Sequence, residues 1–168
     1  MLHIGYVYEP NWCPKNATDY VPAFRPGARL VHQWIRFRNG FAGSVSPPPK
    51  VKLEYLRGDL PDDHIEAWTH STLDLVPYNA YVLVHGNTAQ ADICARVAGR
   101  ANSLGIPCAI AGVGRHFDFV DAKKGIDWCE RYTLNNGSVV VVRPDQHVAG
   151  IAKSTANEAT LIQMIIEG

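Results

Sequence analysis

"NNGSVVVVRPDQHVAG", residues 135–150, decides the fold. Asn-Asn-Gly is turn chemistry, because Asn and Gly tolerate the backbone angles of a tight reversal. Four consecutive valines follow, Val139–Val142, and a β-branched run favours a strand over a helix. Pro144 has no N–H and stops the ladder, while Asp145 can accept backbone N–H groups around a turn. A second short strand starts at once. The stretch therefore reads as an antiparallel hairpin, Ser138–Val142 with His147–Ile151, whose tip is a polar corner, Arg-Pro-Asp-Gln-His.

Outward from this hairpin the second half of the chain is regular. Ala80–His85 is a buried-strand run between Tyr78-Asn79 and Gly86-Asn87. Thr88 can cap a helix through Leu104, with Ile93, Val97, Ala101 and Leu104 on one face and Gly105 just past its end. Pro107–Gly112 is a second apolar strand, Arg115–Asp121 a loop, and Ala122–Tyr132 a short helix with Gly125 as a weak point. Beyond the hairpin, Thr155-x-x-Glu158 is a capping-box pattern before a helix bearing Leu161, Ile162, Ile165 and Ile166.

The order β-α-β-α-β-β-α implies one parallel pair and one antiparallel pair. That is an α/β, thioredoxin-like mixed sheet over residues 79–168. Residues 1–78 hold most of the prolines and show weak periodicity. They are expected to form an irregular Pro-rich N-terminal segment packed on the core. Short strands are expected at Ile4–Glu9, Leu30–Phe37 and Leu73–Val76, with polar loops at Gly43–Pro49 and Arg57–Asp63.

Bulk composition excludes several function classes. The 168 residues are 46% hydrophobic and 19% charged, which suits one globular domain. Net charge is zero, so no basic field attracts nucleic acid or an anionic membrane surface. No apolar run approaches the roughly 18 residues that span a bilayer. The start, MLHIGYVYEPN, lacks signal-peptide character, and a cytoplasmic location is expected. Cys13, Cys94, Cys108 and Cys129 make no CxxC pair and no metal-ligand spacing. They are expected to be buried free thiols, with neither dithiol chemistry nor a metal site.

Four segments in order resemble the C-terminal region of FAD-dependent aromatic-ring hydroxylases of the phenol and resorcinol monooxygenase type. They are IGYVYEP (4–10), FRPGARLVHQWI (24–35), STLDL (71–75) and VVVVRPDQHVAG (139–150). Val31 stands where the family has Pro, and Gly150 where it has Trp. The resemblance implies a thioredoxin-like appendage that is mainly structural or sits at subunit contacts. The flavin motifs of such enzymes are missing. Gly112-Val113-Gly114 carries only the first two glycines of GxGxxG and follows the second strand of the unit, so no cofactor is expected to bind this chain by itself.

Candidate site residues follow from chemistry at strand ends and in the family-like segment. His32 can carry a proton and Arg29 can steady an enolate. His85 ends a strand where ligands gather in such folds. His116 with Asp118 could form an acid–base pair. Tyr6, Tyr8 and Trp34 could face a flat ligand. The leading expectation is a cofactor-independent enzyme acting on a phenolic or polyketide-like small molecule by cyclisation, isomerisation, dehydration or hydrolysis. The alternative is a non-catalytic binding or dimerisation module that partners a separate FAD-dependent aromatic hydroxylase. A homodimer is expected because the Tyr6, Tyr8 and Trp34 side has no covering body.

Overall fold

The computed structural model describes residues 22–38, Val45 and 70–168. Among these lie seven strands: β1 (Trp34–Phe37), β2 (His70–Ser71), β3 (Tyr81–His85), β4 (Cys108–Gly112), β5 (Phe117–Phe119), β6 (Val139–Val142) and β7 (Val148–Ala152). The α-helices are α1 (Thr88–Ser103), α2 (Ala122–Arg131) and α3 (Glu158–Glu167). The expected strand at Ile4–Glu9 and the loops at 43–49 and 57–63 lie outside the described residues, apart from Val45.

The valine run earns its composition from burial on both faces. The main sheet has the order β4-β3-β6-β7, with β3 parallel to β4, β6 antiparallel to β3, and β7 antiparallel to β6. Side chains alternate across a strand, so Val139 and Val141 join Leu83 against α1 and α3, among Cys94, Val97, Ala101, Leu161 and Ile165. Val140 and Val142 join Val82 and Val84 on the opposite face, against Leu30, Val31, Trp128 and Tyr132. A strand covered twice reads as a continuous apolar run rather than an alternating one. The molecule is thus a mixed α/β structure, with α1 and α3 on one face and α2 plus the 22–35 segment on the other.

Several local expectations change. Asn87, not Thr88, caps α1, its side chain accepting from the Ala89 N–H at 2.9 Å. The buried face of α1 is Ala91, Cys94, Val97, Ala98 and Ala101, while Leu104 is exposed, because the helix stops at Ser103 and Leu104 lies past the sheet. Gly105 adopts φ +79 just beyond that end, as expected of a left-handed terminator. Asn157 rather than Thr155 caps α3, accepting from Thr160 N–H at 3.0 Å. Glu158 pairs instead with Arg96 on α1. Gly150 has a packing reason: a Cβ there would meet the Met164 sulfur at 2.7 Å, where α3 lies close on β7.

Two further differences come from long-range pairing. Residues 115–121 contain a strand, β5, where a loop was expected. Its three residues are too few for periodicity to show, and it exists because β1 pairs with it antiparallel, with Ile35 opposite Phe119 and Phe37 opposite Phe117. With β2 this makes a second, three-stranded sheet, β2-β1-β5. Leu73–Val76 was expected to be extended, but Thr72–Leu75 is a 3-10 turn. Ser71 and Asp74 enforce it, the Ser71 hydroxyl accepting from Leu73 N–H at 2.9 Å and the Asp74 carboxylate from Ser71 N–H at 2.8 Å.

Candidate functional site

The polar corner is where the N-terminal segment docks. Arg143 N–H donates to His147 C=O at 2.8 Å, closing a loop of three residues, 144 to 146. The last position of such a loop needs a left-handed residue, usually Gly. Gln146 takes it with φ +68. Its side chain is then committed, accepting from Arg29 Nη2 at 2.6 Å and donating to Leu73 C=O at 3.3 Å. The backbone adds an antiparallel edge: Gly27 N–H to Val148 C=O at 2.8 Å, Val148 N–H to Ala28 C=O at 2.8 Å, and Leu30 N–H to Gln146 C=O at 2.7 Å. Asp145 holds the tip by accepting from Arg143 at 2.8 Å and from His147 N–H at 3.1 Å.

Beyond this edge the segment is bolted to α2. Val31 C=O accepts from Trp128 Nε1 at 3.0 Å and from the Thr72 hydroxyl at 2.7 Å, and Val31 N–H donates to the Tyr132 hydroxyl at 3.3 Å. Gln33 N–H donates to Thr72 Oγ1 at 3.0 Å. His32 therefore sits between two fixed neighbours, with its ring exposed and edge-on to Trp34 at 4.6 Å. Desolvation lowers its pKa below the ordinary 6.5, outweighing the pull of Asp74 in the other direction.

His32 borders a cleft of about 420 Å³ between this segment and α2. Phe24 and His32 stand on one wall, and Lys124, Asp127, Trp128 and Arg131 on the other. The Arg131 guanidinium lies 5.6 Å from the Phe24 ring centre. The four α2 residues were not singled out from the sequence. Their spacing, i, i+3, i+4 and i+7, is a single helix face and was the available signal.

His85 and His116 form a separate pair, with ring centres 6.5 Å apart at the C-terminal ends of β3 and β4. The His85 Nδ1 lies 3.0 Å from Asn87 C=O. A carbonyl only accepts, so the proton is on Nδ1 and Nε2 is bare. That Nε2 is buried and has no hydrogen-bond partner among the described residues. It packs over Gly112, where a Cβ would come within 2.9 Å. β4 is an edge strand, and the outward Gly112 N–H donates to His116 Nδ1 at 2.8 Å. Burial first, then Arg115 and His85, lower the His116 pKa to about 4. Burial also lowers that of His85, against the opposing Asn87 bond.

The remaining candidates lie apart. Asp118 is gripped by Arg38 through two bonds, one of 2.9 Å, at the exposed side of the β1–β5 pair. Trp34 lies in β1 opposite Ser71. Tyr6 and Tyr8 fall outside the described residues. Register separates the rest: His85 is opposite Val139 and Val82 opposite Val142, so β6 runs from the His85 end toward the corner. Arg29, bridged to His147, and the His85–His116 pair are thus at opposite ends of the sheet, separated by more than the length of β6, roughly 10 Å at about 3.3 Å per residue.

Cys94, Cys108 and Cys129 are buried and free, and burial pushes their thiols up to about 12, 12 and 11. Thiols held that high are inert at neutral pH. Among the described residues no group of three or more His, Cys, Asp or Glu could hold a metal ion, and no helix is long and apolar enough to cross a membrane.

No protein-family model matches the sequence, and no curated protein is significantly similar to it. Solved structures are similar in fold. One is the flavin-dependent monooxygenase PieE in complex with FAD and substrate, with TM-score 0.57 and 19% identity over 98% of this chain and 26% of that one. Another is aklavinone-11 hydroxylase in a ternary complex with FAD and aklavinone, with TM-score 0.59 and 21% identity over 98% of this chain and 25% of that one. Identity at this level establishes fold alone. The chain spans about a quarter of the length of these flavin-dependent enzymes and shares the fold of that part of them.

Proposed function

We propose that this chain is the C-terminal, thioredoxin-like module of an FAD-dependent aromatic hydroxylase system, and that it docks on a flavin-bearing body. The carrying observation is the coverage: 98% of the chain overlays on only about a quarter of two enzymes that hold FAD. The sheet order, with one parallel and two antiparallel neighbours, supports the thioredoxin-like assignment. The described residues before Asn79 then pack on the 79–168 core as one unit, a reading supported by the β1–β5 pairing across the two parts.

The competing reading is a cofactor-independent acid–base enzyme for a phenolic or polyketide-like molecule. It needs a base and an oxyanion partner within hydrogen-bond reach of one substrate. What favours the module is the dispersal of the candidates: Arg29 held by Gln146, Asp118 by Arg38, and His85 with His116 at the far end of the sheet. The test mixes the purified chain with the flavin-loaded body of an FAD-dependent aromatic hydroxylase from which the equivalent C-terminal region has been removed. Co-elution of flavin absorbance with the chain is expected. Separate elution overturns the module. So does turnover of a phenolic substrate by the chain alone that His32→Ala lowers by about 10²-fold.

A further inference from the structure

The cleft between residues 24–33 and α2 has features that neither the hairpin corner nor the histidine pair shares. Its volume, about 420 Å³, falls in the lower part of the roughly 300–1,000 Å³ range of small-molecule sites. Its walls are preorganised. Val31 is pinned by Trp128 and Tyr132 on one side and by Thr72 on the other, so the His32 wall cannot drift from α2 without breaking two hydrogen bonds. Tyr132 joins the two walls edge to face, meeting Phe24 at 4.8 Å and Trp128 at 4.6 Å between ring centres.

The polar groups are placed for one side of a flat ligand. Lys124 and Arg131 rise from the α2 wall one turn to either side of Trp128. Their own acidic neighbours hold them loosely: Lys124 to Asp121 at 3.9 Å and Arg131 to Asp127 at 4.0 Å. Contacts that long between exposed groups contribute little and leave the cations available to an incoming anion. Asp127, on the same wall, is the group such an anion must avoid. His32 faces it across the cleft and offers ring nitrogens to a hydroxyl.

We infer that this cleft binds a planar aromatic acid, a fused-ring carboxylate or phenolate, with its rings along the Phe24 wall and its anionic group within reach of the Lys124 and Arg131 side chains, clear of Asp127. The inference does not depend on the module reading, because the lining residues named belong to this chain and the test uses the chain alone.

The probe is 2-naphthoate, titrated calorimetrically and by two-dimensional NMR, with 2-naphthalenemethanol as the uncharged comparison. Naphthoate is expected to bind tighter than about 1 mM and to shift the Trp128 indole and His32 ring signals. The alcohol is expected to bind several-fold more weakly. Lys124→Ala and Arg131→Ala, both at exposed positions, should each weaken naphthoate by roughly two- to fivefold and weaken the alcohol by less. Absence of saturable binding overturns the site. Equal binding of acid and alcohol overturns the anion subsite. Shifts confined to signals away from Trp128 and His32, or variants that bind naphthoate as the parent does, overturn its location.

Discussion

The four-stranded sheet and the segment laid across it are held by different physics. β3 and β6 are secured by backbone ladders and by apolar side chains buried on both faces. The segment from Gly27 to Gln33 has a short backbone edge with Gln146 and Val148 and buries Leu30 and Val31, and it adds polar bonds to the distant side chains of Gln146, Thr72, Trp128 and Tyr132. The first kind of order arises from continuous apolar runs whose side chains fill both faces of the sheet. The second depends on a few individual groups, each brought in from far along the chain. The sheet should therefore tolerate many conservative changes, whereas the segment should come loose when one anchor is lost.

The sharpest way to break the contrast is Trp128→Ala. It empties a fully buried site and removes the indole donor to Val31. The expected loss is about 3–5 kcal/mol in urea unfolding. Amides of residues 28–33 should lose hydrogen-exchange protection before those of β3 and β6. Uniform loss across both regions would show that they unfold together and would erase the distinction.

Acid sharpens it from the other side. His85 and His116 have folded pKa values below the unfolded 6.5, His116 at about 4. Their contribution is complete above pH 6.5 and is lost as pH falls from there toward 4, because only the unfolded chain takes up protons in that window. Protonating His116 on Nδ1 also breaks its bond from Gly112 N–H. About 2–3 kcal/mol should disappear, seen as a falling urea midpoint. His116→Gln should flatten the profile, and an unchanged slope in that variant would place the titration elsewhere.

Gly125→Ala has a sign that separates local from tertiary control. In an exposed helix interior this change stabilises by about 1 kcal/mol. Here the new Cβ would stand 2.4 Å from the Phe119 ring, so α2 and β5 must part. A net loss of about 1–3 kcal/mol is expected by thermal unfolding, and a gain would mean that the α2–β5 contact yields freely.

Gln146→Gly carries the smallest expected effect. It relieves a left-handed backbone but removes the bonds to Arg29 and Leu73. The two terms are each about 1 kcal/mol and nearly cancel in global stability. Exchange at Leu30 should still quicken while β6 and β7 stay protected. Unaltered exchange at Leu30 would show that the backbone edge alone docks the segment.

Periodicity and turn chemistry alone determined the hairpin, the strand at 81–85, the three helices and their order, because each is written in neighbouring residues. Burial of Cys94, Cys108 and Cys129 was legible from the apolar character of free thiols, and Cys13 lies outside the described residues. Only the tertiary structure decided that three residues at 117–119 form a strand, since their partner lies some eighty positions earlier, in β1. It also decided that Asn87 and Asn157 cap helices in place of nearby threonines, and that Leu104 faces water. His32 and Arg29, three positions apart in one segment, went to different settings, one to the cleft on α2 and one to Gln146. The cleft itself could not be read from either wall. The α2 stripe looks like an ordinary amphipathic face, and the bonds of Trp128 and Tyr132 with the single residue Val31 bring the second wall against it. Sequence specifies each surface through local chemistry, whereas a site made by two surfaces depends on contacts that no local pattern encodes.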